Sequence, residues 1–166
     1  MHKTRIFLSL LFFSVTMISC DYYVINSHKE HVGANLPKDD SFKACFEEKI
    51  FPYYYGRDNA QFTAGKDSLR TFFKNKYSSG GFENESGYIT VRFIINCKGK
   101  AGRYEVLKTG TDFRAKDFDP YLEDHLLRLV KELKDWQAIA FHGDNYDSFF
   151  HLTFKIQNGQ LVEILP

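Results

Sequence analysis

"YITVRFIIN", residues 88–96, decides how this chain folds. The run is rich in β-branched and aromatic residues, and Ile89, Val91, Phe93 and Ile95 recur at every second position. A period of two puts those four side chains on one face of a strand, where they need an apolar cover. "CKGK" (97–100) follows as a Gly-containing turn, and "RYEVLKTG" (103–110) reads as a second strand carrying Tyr104 and Val106. Two strands joined by so short a turn pair antiparallel.

The cover comes from either side of that pair. Upstream, "GKDSLRTFFKNKYSSGG" (65–81) places Leu69, Phe72, Phe73 and Tyr77 on one helical stripe, with Asp67 or Ser68 as the expected cap and Gly80-Gly81 beyond the end. Downstream lies the clearest helix signal. Asp119 is a good N-cap, Pro120 suits the first helical position, and Glu123-Asp124 complement the dipole. Leu122, Leu126, Leu129, Val130 and Leu133 form its apolar stripe. After Trp136 and the turn "FHGDNYD" (141–147), "SFFHLTFKI" (148–156) is a third long strand, and Asn158-Gly159 turns it into a short strand, "QLVEIL" (160–165). Ser41 to Phe51 has Phe42, Cys45, Phe46 and Ile50 near helical spacing and reads as a short helix ended before Pro52. The expected fold is α+β: two layers, a small antiparallel sheet with helices packed on one face. Seventeen Phe and ten Tyr among 166 residues supply large buried areas for one core.

The N-terminus carries a different signal. His2-Lys3-Thr4-Arg5 is cationic, and Ile6 to Ile18 is apolar but shorter than the ~20 residues of a spanning helix. It ends Met17-Ile18-Ser19-Cys20, which resembles the bacterial lipoprotein signal, with acylation at Cys20. One acyl chain binds a membrane weakly and several on one residue bind stably. Residues 1–19 are therefore expected to be a signal peptide, 20–40 a lipidated Cys and tether, and 41–166 the folded domain. The tether, fully stretched, reaches at most about 70 Å. Cys45 and Cys97 remain for an oxidising compartment, where paired thiols tend to become a disulfide; two buried free thiols are the alternative.

The order of elements resembles the C-terminal domain of the TonB energy-transducer family, most clearly over residues 60–166. The resemblance rests on "AQFTAGKDSLRTFFKNKY" (60–77), on Gly87, Val91, Phe93 and Lys98-Gly99, on "LKDW" (133–136), and on Phe154. It implies the family's fold and its mode of binding, capture of an extended peptide from an outer-membrane receptor along a strand edge. "SFFHLTFKI", with Phe150, Leu152 and Phe154, or "QLVEIL" is then the expected edge, unless Gln160–Leu165 only shields it. The departures bear on function. A lipid anchor and short tether stand where transducers have a spanning helix and long Pro-rich spacer. Ala64-Gly65 replaces a Gly-Gly pair, and Ser78 stands where Pro is expected. Energy transduction is not carried over. Lipid-anchored versions of this kind resemble proteins of Bacteroidota.

Chemistry is sparse. Net charge is +1 without a basic block, which argues against a nucleic-acid partner. No nucleophile elbow, zinc-protease, phosphate-loop or dinucleotide motif occurs, and neither a cofactor nor a metal is expected. His28 and His31 lie in the tether, and His125 reads as a surface residue of an acidic helix start. "PYYYGRD" (52–58), with Tyr53, Tyr54, Tyr55 and Arg57, is either a peptide or glycan platform or a cover over the core. The leading expectation is a non-catalytic interaction module in the cell envelope, lipid-anchored at the outer membrane or a periplasmic face, with an envelope protein as partner. The alternatives are a periplasmic binding or hydrolytic protein using the Tyr-rich loop with His142 and His151, and an accessory or immunity-type lipoprotein.

Overall fold

A computed structural model describes residues 36–37, 41–52 and 61–165. The expected signal peptide, Cys20, His28, His31 and the Tyr53–Arg57 loop lie outside them. Described elements run in the order β1 (Gln61–Phe62), α1 (Gly65–Lys76), β2 (Gly87–Ile95), β3 (Ala101–Thr109), α2 (Pro120–Glu132), β4 (Trp136–Gln137), β5 (Ile139–Phe141), β6 (Asp144–Tyr146), β7 (Ser148–Gln157) and β8 (Gln160–Leu165).

The main sheet is antiparallel in the order β3-β2-β7-β8. Strand β2 is central, and its register with β7 is unbroken from Gly87↔Ile156 to Ile95↔Ser148. The period of two read from the sequence is obeyed: Ile89, Val91, Phe93 and Ile95 are all fully buried. They meet Leu69 and Phe73 of α1, the leucine stripe of α2, and Phe150, Leu152, Phe154 and Ile156 of β7. The chain is thus α+β, with two helices over the sheet and aromatic rings filling the layer between. Phe73 meets Phe154 edge-on at 4.8 Å, and Phe93, Trp136 and Phe150 lie within 5.1–5.7 Å of one another.

Local signals explain the ends of these elements. Asp119 caps α2, its side chain accepting from the Tyr121 N–H at 2.8 Å, with Pro120 at the first position. At α1 the expected cap is corrected. The helix starts at Gly65 after Ala64 with no side-chain cap, and Asp67 instead pairs with Arg70 inside the first turn. Asn158 (φ 49°) and Gly159 (φ 73°) make the β7–β8 turn. Gly159 is needed twice there, for its φ and because a Cβ would stand 2.5 Å from the Phe82 carbonyl oxygen.

Two further local expectations differ from the structure, and one short pairing was not read from the sequence. Ser41 to Phe51 is not a helix but an irregular segment laid on the sheet's second face. Its backbone groups are engaged by tertiary partners: the Phe46 N–H by Asp147, and Phe51 by a bridge to Ser148. Leu36, Phe42 and Ala44 bury Ile94 there. The "FHGDNYD" turn is a hairpin of two short strands, β5 and β6. Finally, β1 pairs with β4, setting the Phe62 ring edge-on to Trp136 at 5.4 Å.

Candidate functional site

Sheet order decides which strand can receive a partner. Strand β7 lies between β2 and β8, and both its edges are paired. The expected binding role of Phe150, Leu152 and Phe154 is therefore corrected: these side chains face the helices, and Leu152 and Phe154 are wholly buried. Gln160–Leu165 covers β7 and itself becomes the edge. No described strand pairs with the outer side of β8.

A groove of about 630 Å³ runs beside that edge. Gln160, Leu161, Val162, Glu163 and Ile164 form one wall, and Arg70, Lys74 and Tyr77 of the α1 side form the other. Ile164 points into the core, whereas Val162 and Leu165 are 53% and 41% exposed. The register slips between Lys155 and Ile156, so that Val162 is the extra residue of a bulge. The groove has a fixed floor, because the Tyr77 hydroxyl donates to the Gly159 carbonyl at 2.6 Å and holds the β7–β8 turn against α1. Burial pushes the Tyr77 phenol up to about 12, so it keeps that proton at any physiological pH.

At the opposite end of the sheet, Cys45 and Cys97 form a disulfide with Cα atoms 6.0 Å apart. Sequence separation hid its brace, Asp147. This side chain is fully buried, and its two oxygens accept the Phe46 N–H at 2.6 Å and the Cys97 N–H at 2.7 Å. One carboxylate thus ties both disulfide-bearing segments to the start of β7. Cys45, Cys97 and Asp147 also form the one described group of three His, Cys or acidic side chains close enough to share a metal. With both sulfurs joined, no thiolate is available to a cation there.

The described histidines sit on different elements. His142 is on the exposed β5–β6 turn, its ring against Phe141. His151 lies on the sheet's second face, opposite Arg92, which pairs with Glu105. Burial first, then the charge of Arg92, holds the His151 imidazole below its usual range. His125 accepts the Ser78 N–H through Nε2 at 3.2 Å and is held low by burial, then by Arg128. Neither His142 nor His151 belongs to a cluster of ligating side chains among the described residues.

Comparison with models of protein families, with curated proteins and with solved structures found no match to this chain.

Proposed function

We propose that this chain is a lipid-anchored, non-catalytic interaction module of the cell envelope, which captures an extended segment of an envelope protein by strand addition to β8. The observation that carries the reading is the outer edge of β8, unpaired among the described residues and flanked by a groove of about 630 Å³. Main-chain hydrogen bonds along the edge supply affinity. Val162, Leu165 and the groove wall supply selectivity. The Val162 bulge and Glu163 keep the same edge from pairing with copies of itself. Cys20 after its apolar run supports the anchor, and the disulfide fits an oxidising compartment. With the short pairs β1–β4 and β5–β6 set aside, the order α1, β2, β3, α2, β7, β8 supports a domain of the TonB C-terminal type.

Photo-crosslinking from Val162 in the lipidated full-length chain, in detergent-solubilised envelopes, tests this reading. A partner peptide should crosslink there, slow amide exchange over Leu161–Leu165, and be lost with Val162→Pro while the helical signal is kept. Capture unaffected by Val162→Pro would defeat the edge assignment. Mass spectrometry of residue 20 tests the anchor independently.

A further inference from the structure

A second cleft, of about 770 Å³, opens beside the other edge of the sheet. Five lysines line it: Lys43, Lys98, Lys100, Lys131 and Lys134, with no acidic residue among the lining. They come from three separate parts of the chain. Lys43 is on the segment laid over the sheet, Lys98 and Lys100 are on the β2–β3 turn, and Lys131 and Lys134 are at the C-terminal end of α2. None has a carboxylate within salt-bridge distance among the described residues, whereas Lys76, Lys108, Lys116, Arg92 and Arg103 all do. Lys131 instead stands over the Tyr104 ring at 5.5 Å, and Lys134 donates to the Lys131 carbonyl at 3.1 Å. Five of the nine described lysines that have no carboxylate within salt-bridge distance thus share one concave place.

The cleft is also built. Asn96 is 4% exposed and organises one whole side of it. Its Oδ1 accepts the N–H groups of Lys98 and Lys100, both at 3.0 Å, and its Nδ2 donates to the Lys43 carbonyl at 3.0 Å. One buried amide thus sets the backbone of three of the five lysines, and the disulfide locks the same two segments together. Because the positions are held in advance, like charges are kept together without a counter-ion in the wall. An anionic ligand would relieve that repulsion.

The course of the chain says which ligand. Ser41 to Cys45 form a wall of the cleft, and Leu36 packs with Phe42 and Ala44. The first described residues therefore lie beside the lysine cleft. We propose that this cleft seats the anionic phosphate headgroups of the membrane to which the chain is tethered, turning the lysine side toward the lipid and leaving the β8 groove for a partner. This rests on the anchored reading above, and lysine suits the task because it meets a phosphate as a point charge.

The test uses the chain from residue 20 onward carrying Cys20→Ser, so that binding reports the cleft without any acyl chain. Sedimentation with phosphatidylcholine vesicles, with and without phosphatidylglycerol, is the measurement. Binding is expected only when phosphatidylglycerol is present, falling as salt rises. Replacing Lys98, Lys100 and Lys131 by Gln should weaken it about a hundredfold, at about fivefold per lysine. Lys66→Gln with Lys155→Gln, away from the cleft, should leave it unchanged. Equal binding to both vesicle types, or an unchanged triple variant that is folded, overturns the proposal. So does binding of polyglutamate that needs the three lysines when phosphatidylglycerol vesicles are not bound, since the cleft would then belong to an acidic protein. Lipidation of Cys20, read by mass spectrometry in the wild type, fails or succeeds separately.

Discussion

The two edges of the main sheet are built from the same parts, a terminal strand beside a helix, and are prepared for different contacts. At β8 the backbone is open, and the groove beside it mixes signs, with Arg70 and Lys74 on the helix side and Glu163 on the strand. At β3 the ends of the strand are occupied. Phe42 fills the space where a Cβ of Gly102 would stand, and Thr109 bridges to Ala115. Five lysines surround what remains. One edge offers directional hydrogen bonds, which are short-ranged and sequence-tolerant. The other offers a field, which is longer-ranged and screened by salt. Which of the two a terminal strand becomes depends on what the rest of the chain lays over it.

That contrast can be broken most strongly at the β3 end. Replacing Cys45 and Cys97 by Ser releases a crosslink spanning 52 residues and should cost about 4 kcal/mol in denaturant unfolding. Amide exchange should accelerate around Lys43 and Asn96–Lys100 well before it does in β8; uniform acceleration would mean that the ends are not independent. Asp147→Ala removes the acceptor of two buried N–H groups and should cost about 3 kcal/mol, again with the larger local effect at the lysine cleft.

The matching change at the other edge is smaller. Tyr77→Phe deletes one hydrogen bond, to the Gly159 carbonyl, and should cost about 1 kcal/mol. It should loosen β8 and weaken partner capture while leaving vesicle binding intact. Loss of vesicle binding in Tyr77→Phe would erase the distinction between the edges. Smallest of all is a pH effect on the sheet's second face, which belongs to neither edge. An imidazole held below 6.5 is neutral when folded and takes its proton more readily when unfolded. The contribution of His151 to stability is thus complete above pH 6.5 and declines as pH falls from there through the folded value. Arg92, opposite it, adds to the cost of protonation. His151→Gln should flatten that decline in thermal scans across the same window, and an unchanged slope would point to His125, which is held low in the same direction.

Much of the fold was legible because its causes are local. The alternation in Tyr88–Asn96, the capped leucine stripe of α2 and the Asn158-Gly159 turn each express a backbone preference within a few residues. Spacing misled where tertiary partners overrode it. Phe42, Cys45, Phe46 and Ile50 suit a helix, but a disulfide, a buried carboxylate and a bridge to β7 hold that segment irregular. Phe150, Leu152 and Phe154 were expected at a peptide as one of two options, and pairing decided for the other, in which Gln160–Leu165 covers the strand.

By itself the amino-acid order determined a helix-covered antiparallel sheet, and it named the cysteine pair, because periodicity and residue type act over short spans of chain. Only the tertiary structure decided which strands are edges, where Asp147 sits, and that lysines 43, 98, 100, 131 and 134 share one cleft. Those are matters of convergence. Charge and hydrogen-bond geometry depend on distance in space, and nothing in the spacing of residues so far apart in the chain measures it.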